Sequence, residues 1–178
     1  MSVGRRAVFL DRDGVLVEEI VRGGRAYAPL RLEDFRVVPQ AGRQVERLRA
    51  AGLTCIVVTN QPDLARGALH PHALEQMHAH LRTEVHVSDI YVCPHASTDG
   101  CACHKPKPGL LRAAARKHDI DLAQSFLIGD RWRDIGAGRA AGCFSILLDR
   151  SYSGCDAADA RVGDLGEAVD VILSRLTG

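Results

Sequence analysis

Two kinds of apolar pattern alternate along the chain. Short unbroken runs, such as AVFL at Ala7–Leu10, give way to longer stretches in which apolar residues recur every three or four positions. The runs within Ala7–Leu10, Leu53–Thr59, Asp89–Cys93, Ser125–Ile128 and Ser145–Asp149 predict five buried strands. The helical spacing of Val45 and Leu48 predicts a helix over Ala41–Ala51, with Gly52 at its C-terminus. Pro71 opens a second helix carrying Leu74, Met77, Leu81 and Val85 on one stripe. His78 lies beside that stripe and reads as a surface or boundary histidine. Further helices are expected from Pro108 to about His118, over Arg131–Ala141 with Gly142 closing it, and over Leu165–Leu176. Residues 18–40 have no period and contain Gly23, Gly24, Pro29 and Pro39, which predicts a long loop or a β-hairpin flap. Residues 151–163 read as a loop.

Strands that alternate with helices predict an α/β fold: three layers, with a central parallel sheet covered on both faces. The expectation is one domain over residues 1–178. In such sheets ligands bind beyond the carboxyl ends of the strands, where strand order reverses. The unusual polar residues lie at those ends: DRDG after the first strand, TNQ after the second, CPH after the third and GD after the fourth.

Composition narrows the class. A net charge of +1 and 4% aromatic residues give little for a nucleic acid to bind. No apolar run is long enough to span a membrane, and the run after MSVGRR is too short for a secretory signal. The expected location is therefore cytoplasmic, where six cysteines are not read as three disulfides. Cys55 and Cys143 read as small core residues, and Cys155 as a free thiol in a polar loop.

Asp11 and Asp13 are two residues apart, so both carboxylates can face one side of a lightly bent segment, and Gly14 permits a turn beyond them. A bridging divalent cation would relieve their repulsion; without one they form a solvated acidic loop. Thr59 offers a hydroxyl and Lys105 a point positive charge. Asp130 is either a metal ligand or a helix N-cap, and Asp134 follows one turn later. Together these groups match the needs of phosphoryl transfer to an aspartate, since cations such as Mg²⁺ and a lysine let a carboxylate approach an anionic phosphate.

The segments FLDRDGVL, VVTNQ, KPKPG and IGDRWRDIGAGRAAG resemble the four ordered motifs of the haloacid dehalogenase (HAD) superfamily of phosphohydrolases. The resemblance runs from residue 8 to residue 142 and implies a Rossmann-like fold with the first and fourth strands adjacent. It further implies that Asp11 is the nucleophile and Asp13 the general acid and base. Thr59, Asn60 and Lys105 would hold the phosphoryl oxygens. Asp11, the backbone carbonyl of Asp13, and Asp130 would hold Mg²⁺, with Asp134 behind them. Arg12, Gln61, His104 and Arg131 would contact substrate.

The stretch CPHASTDGCACHKPKPG sets Cys93 and His95 five residues before Cys101 and Cys103. Two short pairs joined by a loop can supply the four ligands of a closed, structural Zn²⁺ site. His104, adjacent to Cys103, is a geometrically poorer ligand than His95. A zinc loop directly before the KP segment resembles the branch of heptose-bisphosphate and histidinol-phosphate phosphatases, which lack large caps. That resemblance implies a small phosphorylated sugar as substrate and a monomer. Four departures bear on the substrate: His104 stands where the branch usually has Arg, Arg131 where it usually has Lys, Pro62-Asp63 where Ser-Gly is common, and the segment 17–35 is longer. Against the rival classes, the third strand ends in Cys93, unlike a phosphoacceptor regulatory domain. The intact Asp11, Asp13, Lys105 and Asp130 argue against a non-catalytic zinc scaffold.

Overall fold

The computed structural model describes residues 4–154 and 157–177. Strands β1 (Ala7–Leu10), β4 (Thr54–Asn60), β5 (Asp89–Cys93), β6 (Phe126–Gly129), β7 (Phe144–Leu148) and β8 (Ala160–Val162) form one sheet in the order β5-β4-β1-β6-β7-β8. Every pairing in it is parallel. A parallel sheet buried on both faces accounts for the unbroken apolar runs, because alternate residues serve opposite cores. Val8 and Leu10 face one cluster with Val57, Ile128 and Ile146, covered by α1 (Ala41–Ala50), α2 (Pro71–Val85) and α5 (Leu165–Thr177). Ala7 and Phe9 face the other with Ile56, Val58 and Leu127, covered by α3 (Gly109–His118) and α4 (Trp132–Ala141).

The chain runs outward from β1 to β4 and β5, then crosses back to β6, on the other side of β1. Strand order therefore reverses beside β1, and a crevice opens at the carboxyl ends of β1, β4 and β6. The expected adjacency of the first and fourth core strands is present, with Leu10 level with Ile128.

The segment 18–40 contains a two-stranded antiparallel hairpin, β2 (Ile20–Arg22) and β3 (Arg25–Tyr27). Gly23 and Gly24 turn it with φ of 56° and 75°, the positive pair that a two-residue hairpin turn favours. No large inserted domain is present among the described residues. Two expectations fail. The loop expected at 151–163 contains β8, a sixth strand of only three residues held by pairing with β7; so short a segment at a sheet edge has too little apolar pattern to announce itself. His78, expected at the surface, is 3% exposed. Its partner there is a buried arginine, described below. All described cysteines are free; Cys155 lies outside the described residues. Among the described residues no helix is long and apolar enough to cross a membrane.

Candidate active site

β1 has no exposed residue, so the first polar side chain after it emerges directly at the crevice. That residue is Asp11, whose backbone N–H still bonds to Ile128 O on β6 at 3.0 Å. Its Oδ1 accepts the Arg12 N–H at 2.8 Å and lies 2.9 Å from Lys105 Nζ. The chain then turns back through Gly14, at φ +83°, with Gly14 N–H bonded to Val17 O. A Cβ at Gly14 would overlap the carboxylate of Asp130, so glycine is required for the close approach of this turn to β6.

Asp130 follows β6 and is fully buried; Asp134 comes from the first turn of α4. One carboxylate oxygen from each of Asp11, Asp130 and Asp134 lies within 4.8 Å of the others. Burial first, then Asp134, pushes the Asp11 carboxyl well above the usual range, with Lys105 opposing. Burial, Asp134 and Glu19 push Asp130 up to about 7. Tyr152 donates to Asp130 Oδ2 at 2.9 Å, whereas Oδ1 is buried with no partner. A buried carboxylate oxygen without a donor is unfavourable unless a cation meets it. The oxygen-rich set of Asp11 and Asp130 fits a hard divalent ion such as Mg²⁺.

Lys105 is 2% exposed. Its Nζ meets Asp134 Oδ1 at 2.6 Å, Asp11 Oδ1 at 2.9 Å and Val58 O at 2.8 Å, so all three protons are directed. Burial alone would lower its pKa, but the two carboxylates more than offset this, and it stays charged. Its backbone is docked by Asn60, whose Oδ1 accepts Lys105 N–H at 3.1 Å and whose Nδ2 donates to Lys105 O at 3.2 Å.

Asp13 reaches the same cavity, which has a volume of about 290 Å³. Gln61 Nε2 donates to Asp13 Oδ2 at 2.8 Å and to Thr59 Oγ1 at 2.9 Å. Asp11, Asp13, Asn60, His104, Lys105, Arg131 and Asp134 line the cavity. Arg12, Thr59 and Gln61, expected to touch substrate or phosphate, are buried and do not line it. The Arg12 guanidinium faces inward and pairs with Asp13 at 2.9 Å. Arg131 lies at the wall with Nη2 on Glu19 Oε1 at 2.6 Å and on Ala26 O of the hairpin at 3.4 Å. His104 Nδ1 lies 3.2 Å from the carbonyl of His95, and burial lowers its pKa, so it is largely neutral at pH 7.

Sequence reasoning missed Glu19, Arg66 and Arg133, which also line the cavity. Glu19 sits in the aperiodic segment, where no pattern marks it. Arg133 lies within the segment IGDRWRDIGAGRAAG and Arg66 five residues after VVTNQ, and a search for cations in and next to those segments would have raised both.

Cys93, His95, Cys101 and Cys103 converge just beyond β5, with their ligand atoms within 4.8 Å of one another. Cys93 Sγ is 3.2 Å from Cys103 Sγ and 3.7 Å from Cys101 Sγ, and His95 Nδ1 is 3.3 Å from Cys103 Sγ. Thiolates about 2.3 Å from a shared tetrahedral zinc would lie roughly 3.8 Å apart, so the donor set fits such an ion. His104 is not one of the four mutually close ligands, although its Nδ1 also lies 3.7 Å from Cys93 Sγ. Gly109 packs on the loop so closely that a Cβ would overlap the Ala102 carbonyl.

A family model described as HAD-hydrolase-like matches residues 102–168. The D-glycero-beta-D-manno-heptose-1,7-bisphosphate 7-phosphatase of Pseudomonas aeruginosa is 36% identical over 154 residues, covering 82% of each chain. The D-glycero-D-manno-heptose-1,7-bisphosphate 7-phosphatase of Thermosynechococcus vestitus is 36% identical over 199 residues, covering 97% of each. Among solved structures, the D,D-heptose 1,7-bisphosphate phosphatase of B. bronchiseptica, complexed with magnesium and phosphate, aligns with a TM-score of 0.82 and 30% identity over 96% of this chain and 99% of that one. Sequence, sheet order and the aspartate–lysine site agree, and the chain belongs to the HAD superfamily of phosphatases, in the family that contains the heptose-1,7-bisphosphate 7-phosphatases.

Proposed function

We propose that the protein removes the C7 phosphate of D-glycero-D-manno-heptose 1,7-bisphosphate in a Mg²⁺-dependent reaction. The observation that carries this reading is the Asp11 carboxylate, held by Lys105 at the open end of β1 and facing a cavity of about 290 Å³. Asp11 and Asp130, with the backbone carbonyl of Asp13, would hold Mg²⁺, which when bound neutralises the phosphate and the crowded carboxylates. Asp11 attacks phosphorus and the ester P–O bond breaks, while Asp13 gives a proton to the departing sugar oxygen. Asp13 then takes a proton from water, which attacks the aspartyl phosphate, freeing inorganic phosphate and restoring the Asp11 carboxylate. Lys105 balances charge throughout and is itself oriented by Asp134.

The substrate reading rests on the relatives, together with the cationic rim. Arg66, Arg133 and His104 line the cavity and suit a second phosphate. His104 is shorter than the arginine usual in the branch and mostly neutral, so the two arginines would carry most of that attraction. The deciding experiment is phosphate release with Mg²⁺ from heptose bisphosphates, histidinol phosphate and simple sugar phosphates. Heptose bisphosphate should lead in kcat/KM by about tenfold or more, worth roughly 1.4 kcal/mol. A lead for histidinol phosphate would overturn the substrate assignment.

We further infer that Cys93, His95, Cys101 and Cys103 bind one structural Zn²⁺, that the enzyme is a monomer, and that it takes no nucleic-acid substrate. Four protein ligands leave no open position, so the zinc has no catalytic duty. Metal analysis of the purified protein should find zinc lost from His95→Ala and retained in His104→Ala; the reverse pattern would refute this ligand set.

A further inference from the structure

Arg12 carries a charge that cannot be shed, yet it is completely buried. Such a group persists only if its donors are met. Its Nε donates to Asp13 Oδ1 and its Nη2 to Asp13 Oδ2, each at 3.0 Å, a two-pronged grip on one carboxylate. The remaining Nη1 lies 3.2 Å from His78 Nε2, on helix α2. An arginine nitrogen can only donate, so His78 Nε2 accepts and the imidazole proton sits on Nδ1. The guanidinium also lies over the Phe35 ring, 5.7 Å from its centre. Asp13, in contrast to Arg12, does reach the cavity.

We propose that His78 is a positioning residue for the reaction: by accepting from Arg12 Nη1 it fixes the guanidinium whose other edge grips the Asp13 carboxylate. His78 touches neither substrate nor the reacting atoms. It acts through Arg12, linking the core face of α2 to the turn after β1. Burial and the adjacent Arg12 push its pKa down to about 3, in keeping with a neutral acceptor. The proposal rests on Asp13 acting as acid and base, so the test separates the two ideas.

The variants are His78→Leu, which cannot accept, and His78→Gln, whose amide oxygen can. Each is assayed on the sugar ester turned over fastest in the panel above and on p-nitrophenyl phosphate, whose leaving group needs no proton. His78→Leu should lose about tenfold in kcat/KM on the sugar ester, much less on the aryl ester, with KM little changed. His78→Gln should recover most of the loss. Equal losses on both esters, no loss on either, or a Gln variant no better than Leu would each overturn the proposal. If His78→Leu fails to fold, Arg12→Lys replaces it, since one ammonium cannot grip both Asp13 oxygens; an unchanged ratio between the two esters then refutes the idea. Asp13→Ala is the control: if it leaves sugar-ester turnover intact, the role given to Asp13 has failed, not the role given to His78.

Discussion

Asp130 combines full burial with a carboxylate oxygen that no donor meets, and this makes its charge conditional. With its pKa raised to about 7, the metal-free folded protein holds a proton that the unfolded chain lacks between about pH 4 and 7. Stability of the metal-free protein from this group therefore falls as pH rises through that window. Mg²⁺ must displace the same proton, so its stabilising effect should grow with pH. The rise in Tm on adding Mg²⁺ should be larger at pH 8 than at pH 6, and an equal or smaller rise at pH 8 would count against Asp130 as a ligand. The turn that meets Asp130 tolerates no side chain. Gly14→Ala would set a Cβ on the carboxylate and strain a left-handed φ. It should cost about 1–3 kcal/mol in urea unfolding and weaken Mg²⁺ activation; an unchanged Mg²⁺ titration would show that the turn yields more easily than its geometry implies.

Among the elements, the loop after β5 has the clearest division of labour. Its first part gathers three thiols and an imidazole; its last part delivers Lys105 to Asp11 and Asp134. The last part is tied to the end of β4 by Asn60, which grips the Lys105 backbone, and the close seat of Gly109 under Ala102 holds the first part against the start of α3. Cys101→Ser should therefore lower the bound zinc and the Tm, because a ligand that organises a loop contributes to folding itself. Activity should fall less than in Asp11→Asn, which removes the carboxylate proposed to attack phosphorus; equal losses would mean that the loop, rather than the strand ends, holds Lys105 in place. The hairpin β2–β3 is tied down in another way, by Arg131 bridging Glu19 and the Ala26 carbonyl. This legible hairpin turn and the illegible Glu19 contact lie within ten residues of each other, because a Gly-Gly turn is a local signal and an ion pair across 112 positions is not.

For the whole molecule, acid sensitivity follows from how the layers are joined. His78 ties α2 to the β1 turn as a neutral acceptor with a pKa near 3, whereas in the unfolded chain it titrates near 6.5. Between those values the unfolded chain binds a proton that the folded chain excludes. Stability from this group is thus complete above about pH 6.5 and is lost as pH falls, by at most about 1.4 kcal/mol per pH unit. The unfolding free energy of the native protein relative to His78→Gln should shrink between pH 7 and pH 4.5, and a constant difference would mean that His78 is not buried neutral. The sequence by itself determined the alternation of strands and helices, the parallel sheet, and the polar residues at the strand ends, because periodicity and turn chemistry are local. The four clustered residues Cys93, His95, Cys101 and Cys103 were legible for the same reason of short spacing. Only the tertiary structure decided which side of each strand end faces the cavity. It turned Arg12, Thr59 and Gln61 inward and brought Glu19, Arg66 and Arg133 to the wall. It also buried His78 against an arginine 66 positions away, where the need to pair a buried charge outweighed the ordinary preference of a histidine for the surface.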